Sequence, residues 1–220
     1  MTNCCADAAE IADVEVTGVG YAPRKVTYSR DVYGFLKQDN PRRFNYENAT
    51  YQNKQSTNSE MVKLRLGWLG LHLKEDFSKM TAVDVGSGSG IFVKEAQPYF
   101  KRLVPYNLTG DSISEKDLYS TNWGIVFLFD VLEHYDNVDL FWNLNFKYAY
   151  ISYPEYHNTP LNTWRHGKID EHVYNMDILS MRRFVAGKAE IIAEGCPEDL
   201  IRTRWDKDLN NITSVLLKKS

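Results

Sequence analysis

The sequence predicts an α/β fold, a doubly wound and mostly parallel sheet with helices on both faces. Three observations predict it. From residue 57 onward, short apolar runs of strand length alternate with helix-length segments. Residues 124–129, GIVFLF, are apolar throughout, the pattern of a strand covered on both faces. A glycine-rich stretch, Gly86 to Gly90, joins one such strand directly to a helix.

The elements follow in order. Residues 1–56 are polar and rich in turn formers, as in Asp39-Asn40-Pro41 and residues 45–55. They also carry Tyr21, Tyr28, Tyr33, Phe35, Phe44, Tyr46 and Tyr51, too many aromatics for a disordered segment. An irregular N-terminal lid or cap over a main domain at 57–220 is expected, with residues 1–20 a loose tail. A helix begins among Ser56, Thr57, Asn58 and Ser59, each able to cap it, and runs to about Asp76. Met61, Leu64, Leu66, Trp68, Leu69 and Leu71 recur along it at roughly helical spacing. A strand follows at 81–85, a helix at 91–99 that ends near Pro98, and a second strand at 103–109. After GIVFLF come a helix at 131–146, a buried strand at 148–152 stopped by Pro154, and a long polar loop at 155–170. A helix at 176–186 and strands at 189–193 and 212–217 complete the chain.

Composition narrows the function classes. The 220 residues suffice for a substantial core, and 43% hydrophobic with 25% charged residues is ordinary for a globular protein. A net charge of −3 gives no general field for nucleic acid. Cys4, Cys5 and Cys196 make neither a disulfide framework nor a C-x-x-C pair, which suits a reduced, cytoplasmic setting. The N-terminus lacks a basic stretch followed by an apolar one, so no signal peptide is expected. The longest apolar run, residues 125–129, is far too short to span a membrane.

The turn carries the chemistry. Thr81-Ala82-Val83-Asp84-Val85-Gly86-Ser87-Gly88-Ser89-Gly90-Ile91 places three alternating glycines after a strand and before a helix. Glycine permits positive φ and close approach of a ligand to the backbone. The following helix start presents free N–H groups, which suit a carboxylate or a hydroxyl-rich ligand. A dinucleotide fingerprint would need its third glycine at position 91, which is Ile91, and a phosphate loop would need Gly-Lys-Ser/Thr, which is absent. G-x-G-x-G, with an acidic residue two before its first glycine, resembles instead the turn of proteins that bind S-adenosylmethionine (SAM).

Residues 83–90 resemble the first motif of the class I SAM-dependent methyltransferases, which have a Rossmann-like fold. Phe129-Asp130-Val131-Leu132-Glu133-His134 looks like the fDvLEH segment after their fourth strand, and Ile151-Ser152-Tyr153-Pro154 like their fifth-strand vSxP. Residues 165–172, RHGKIDEH, resemble the KHyxPxEH block of a poorly characterised subgroup that is often phage-borne or bacterial. The resemblance covers about 57–217 in the expected order. It implies that Gly86, Ser87, Gly88 and Gly90 wrap the methionine part of SAM, with Asp84 near its amino group. Asp111 is the candidate for the ribose hydroxyls, although it follows Gly110 directly where the family has Gly-x-Asp. Ser112 and Ile113 are candidates for the adenine, and Phe129 and Asp130 for the wall beside the cofactor. Only residues 112–123 separate the second strand from GIVFLF, too few for a helix, a full strand and their turns, so the family's third strand is short or missing.

A methyl acceptor that is a hydroxyl benefits from a general base, and imidazole matches neutral pH. His134 is the first choice, then His166 and His172. For each, a structural role that fixes a loop stands beside the catalytic one. Asp130, Glu133 and His134 at i, i+3, i+4 could instead hold a divalent ion; the expectation is a site without metal. Tyr153, Tyr156, Trp164 and Tyr174 could wall a pocket or pack as core. The expected function is methyl transfer to a hydroxyl or amine of a small molecule, sugar or lipid-linked acceptor, with a non-catalytic SAM-binding module as the alternative.

Overall fold

Val83 and Val85 turn to one side of their strand and Ala82 to the other, and the same alternation separates Val126 and Leu128 from Ile125 and Phe127. Strands apolar on both faces need cover on both, which sets the architecture. The computed structural model describes residues 12–16, 24–42, 58–108, 113–205 and 211–220. Its central sheet consists of β4 (Thr81–Val85), β5 (Arg102–Tyr106), β6 (Trp123–Phe129), β7 (Phe146–Pro154), β9 (Ala189–Gly195) and β10 (Ile212–Lys219), in the order β5-β4-β6-β7-β10-β9. The first four run parallel, and β10 lies antiparallel between β7 and β9.

One face is covered by α1 (Ser59–His72) and α2 (Ile91–Ala96), whose Val62, Leu69, Phe92 and Ala96 pack with Ile125, Phe127, Tyr148 and Tyr150. Asn58 starts α1 by accepting from the Met61 N–H through its side chain. The other face is covered by α4 (Ile178–Val185) and by residues 138–144, which bring Phe184, Phe141 and Leu144 onto Val126, Ala149 and Ile151. Between β5 and β6 only α3 (Glu115–Ser120) intervenes among the described residues, so the expected loss of the third strand is observed. No described helix is long and apolar enough to cross a membrane.

Two expectations need correction. Residues 131–146 form no α-helix: they make two 3-10 turns, Leu132–His134 and Val138–Asn143, before Phe146 opens β7. Asn137 breaks the segment by capping the second turn, its side chain accepting from the Asp139 N–H. Leu132, Val138, Phe141 and Leu144 are all buried, so their helix-like spacing reflects tertiary packing.

The N-terminal part is not irregular where described. β1 (Ala12–Val16), β2 (Arg24–Arg30) and β3 (Leu36–Gln38) form an antiparallel sheet, continued by β8 (Tyr174–Asn175) from the far side of the chain. Val26 and Tyr28 alternate with outward residues and pack with Leu36, Tyr156 and Leu161. Asp170 clasps this sheet: it pairs with Arg24, and its Oδ1 accepts from Gln38 Nε2 at 2.7 Å and the Arg42 N–H at 3.0 Å. The loop expected to be polar thus contributes an apolar patch and a clasp. α5 (Asp199–Trp205), not anticipated from sequence, returns toward the end of β6.

Candidate functional site: the crevice beyond β4 and β6

From β4 the chain crosses to β5 on one side and then returns through α3 to β6 on the other. Such a reversal leaves a crevice at the carboxyl ends of β4 and β6, where ligands bind in this architecture. The glycine turn sits there. Gly86, Gly88 and Gly90 have φ of 71°, 53° and 71°, a region that L side chains rarely adopt. A Cβ on Gly86 would lie 2.5 Å from Val131 Cγ2, whereas one on Gly90 would meet nothing within 4 Å. The turn is therefore tight against the protein at its start and open at its end.

The end of β5 braces it. The Gly86 N–H donates to the Tyr106 carbonyl at 2.7 Å. The Gly88 N–H donates to Asn107 Oδ1 at 3.1 Å, and Asn107 Nδ2 donates to Ser87 Oγ at 3.0 Å. Asn107 is a site residue that sequence reasoning missed; its only signal was a polar amide at the end of a strand beside the turn. Asp84 is buried, and burial pushes its carboxyl up to about 7 against the opposing charge of Arg65. Asp111 and Ser112 lie outside the described residues.

Phe129 and Asp130 stand at the end of β6 as expected, inside a buried ion network that the sequence did not announce. The Arg65 guanidinium lies 3.8 Å from the centre of the Phe129 ring and donates through Nε to Glu198 Oε1 at 2.7 Å. Arg202 donates to Glu198 Oε2 through Nε at 2.9 Å and through Nη2 at 2.6 Å, and Nη2 also bonds Asp130. Burial alone would raise the Glu198 carboxyl, but Arg65 and Arg202 outweigh it and hold the group at about 2. Asp130 adopts a left-handed φ of 56°, with its N–H donating to the Ser152 carbonyl at 2.9 Å.

Beyond Asp130 the histidines converge. The Glu133 side chain is 1% exposed, and no other residue hydrogen-bonds its oxygens. Burial, then the charge of Asp130, raises its carboxyl well above the usual range. The Nδ1 of His134 lies 2.7 Å from the Glu171 carbonyl, and its Nε2 lies 4.0 Å from Glu133 Oε1. The His172 ring stands edge-on to that of His134, centroids 4.8 Å apart. Burial depresses both imidazoles, which favours their neutral forms. One ligand atom each from Glu133, His134 and His172 lies within 4.8 Å of the others. His172, not Asp130, thus completes the acid–imidazole group, because Asp130 is turned to Arg202. The His166 ring packs by Trp164, with centroids 5.7 Å apart. Tyr153, Tyr156 and Tyr174 are buried in the hydrophobic cores, and Trp164 packs against Tyr156. Packing accounts for all four aromatics.

No family model and no curated protein matches the chain. Solved structures do. A SAM-dependent methyltransferase from Clostridium acetobutylicum is similar at a TM-score of 0.54 and 10% identity, over 79% of this chain and 95% of that one. Another from Archaeoglobus fulgidus gives 0.50 and 16%, over 78% and 98%. Coclaurine N-methyltransferase, solved with N-methylheliamine and SAH, gives 0.51 and 10%, over 76% and 73%. At such identities the likeness is one of architecture: the chain has the Rossmann-like α/β fold seen in these SAM-dependent methyltransferases.

Proposed function

We propose that the chain is a class I SAM-dependent methyltransferase acting on a hydroxyl or amine of a small molecule, sugar or lipid-linked acceptor. The observation that carries this reading is the turn at the switch point: three glycines of positive φ, preceded by a buried acid and open over Gly88 and Gly90. The open side fits the methionine end of SAM, since a Cβ on Gly88 would meet only the Gly86 carbonyl at 4.0 Å. Ile91, the first residue of α2, stands where a dinucleotide turn would need its third glycine.

SAM would supply a sulfonium-bound methyl group ready for in-line displacement. The protein's part is to hold and orient. The backbone at Gly86, Ser87, Gly88 and Gly90 shapes the bed, and Asn107 fixes it through Gly88 and Ser87. The Asp84 carboxyl, poised near 7, would ionise beside an ammonium group and accept from it. The family resemblance assigns Asp111 to the ribose hydroxyls and Ser112 to the adenine. Phe129 and Asp130 form the wall, stiffened by Arg65, Glu198 and Arg202. Positioning of this kind supplies roughly 7–11 kcal/mol in well-oriented intramolecular reactions. We assign Glu133, His134 and His172 to the acceptor side of the wall, and His166 to support of the loop that carries His172. The net charge of −3 disfavours a nucleic-acid acceptor.

Thermal-shift titration with SAM, S-adenosylhomocysteine and NAD tests the cofactor. The first two are expected to stabilise the fold and NAD to leave it unchanged; no shift with either SAM-class ligand sinks the reading. Transfer of labelled methyl into a metabolite extract, with His134→Ala for comparison, tests the reaction. Binding without any transfer would leave the non-catalytic module.

A further inference from the structure

A buried carboxyl that no other residue hydrogen-bonds is costly to ionise, and a cation bound beside it offsets that cost. Glu133 is such a group: both its oxygens are buried and no other residue hydrogen-bonds them. Facing it are two imidazoles whose outer nitrogens are occupied. His134 Nδ1 is taken by the Glu171 carbonyl, and the His172 ring bonds the His166 backbone. The inner atoms are His134 Nε2, 4.0 Å from Glu133 Oε1, and His172 Nδ1, which is buried without a hydrogen bond. At 4.0 Å the Glu133–His134 pair is beyond hydrogen-bond reach, so the three groups are not closed by bonds among themselves.

We propose that Glu133, His134 and His172 form a binding site for one divalent transition-metal ion of the zinc class. Two imidazole nitrogens and one carboxylate suit zinc and its neighbours in the first row; magnesium and calcium prefer all-oxygen shells. The backbone carbonyls on the outer nitrogens are the usual device that fixes the tautomer of a metal-ligating histidine. Bonds of about 2.1 Å place tetrahedral ligand atoms about 3.4 Å apart. The three atoms, within 4.8 Å of one another, therefore close on an ion by a contraction on the order of 1 Å. Glu133 and His134 come from the turn after β6, and His172 from the segment just before β8. The ion would pin the loop to the crevice wall. Asp130 faces Arg202 and is not a ligand.

The site lies on the acceptor side of the proposed reaction, but binding is read on the metal itself, so failure of one reading leaves the other standing. The full-length chain, free of any histidine tag and stripped with chelator, is titrated with Co2+ and followed by its visible d–d absorption, then back-titrated with Zn2+. The expected result is a saturable band at one ion per chain that Zn2+ abolishes. Glu133→Gln, which keeps the side-chain shape, and His172→Ala should each weaken binding more than about 100-fold, beyond the 10–100-fold cost of losing an outer partner. His157→Ala, at an exposed histidine outside the cluster, should leave it unchanged. Absence of a stoichiometric band in the wild type, or a band that survives both ligand substitutions, overturns the proposal.

Discussion

Glu198→Gln removes one charge from the centre of the buried network and leaves Arg65 and Arg202 facing a neutral amide. Glu198 is fully buried, Arg65 2% exposed and Arg202 7%, so water cannot replace what is lost. Holding the carboxyl at about 2 instead of its ordinary 4.5 is worth about 3 kcal/mol, net of the cost of burying the charge. That agrees with the ~3–5 kcal/mol usual for breaking a buried pair by removing one partner. Arg202 keeps Asp130 and Arg65 keeps the Phe129 ring, so a loss of about 3 kcal/mol at pH 7 is expected. This is a large share of the ~5–15 kcal/mol that a domain has. Urea unfolding followed by tryptophan fluorescence measures it, with the midpoint lowered and the slope unchanged. The folded carboxyl is depressed, so its contribution is complete above about 4.5 and disappears as the pH falls toward 2. The gap between wild type and variant should therefore close to less than half by about pH 3. A loss below about 1 kcal/mol at pH 7, or a gap that does not narrow on acidification, would refute the assignment of this network as the brace of the crevice.

Asp84→Asn tests the buried acid before the turn. Its folded carboxyl is raised from 3.8 to about 7, so the wild type loses stability as pH rises through that window, by about 4 kcal/mol in all. The variant should match wild type in thermal melts near pH 4, exceed it at pH 8, and bind SAM more weakly. Gly86→Ala meets a left-handed φ costing ~1–2 kcal/mol and a 2.5 Å contact with Val131 costing ~1–3. Urea unfolding should show a loss of about 2–5 kcal/mol, with the contact part recovered by adding Val131→Ala. Asp170→Ala cuts the clasp to Arg24, Gln38 and Arg42, worth ~1.5–3 kcal/mol for bonds to a charged group. Amide exchange should rise in β2 and β3 while β6 and β7 stay protected.

The sequence alone determined the parts whose signal is local. Residues 81–85 announced a short strand, GIVFLF announced one covered on both faces, and the alternating glycines announced a positive-φ turn between strand and helix. The short distance from β5 to GIVFLF pointed to a short or missing third strand, and none stands among the described residues there. Local spacing misled at 131–146, where apolar residues recur as in a helix but are buried through two separate turns. It also hid the N-terminal sheet, whose completion needs β8 from 137 or more positions along the chain. Only the tertiary structure decided who faces whom. Arg65 meets Glu198 across 133 residues, Asn107 braces Ser87 and Gly88, and His172 takes the place beside Glu133 that sequence proximity had given to Asp130. The physical reason is range. Backbone conformation and strand burial are fixed by neighbours a few positions away, whereas charge pairing and metal-type geometry arise only when the sheet order brings distant strand ends to one crevice.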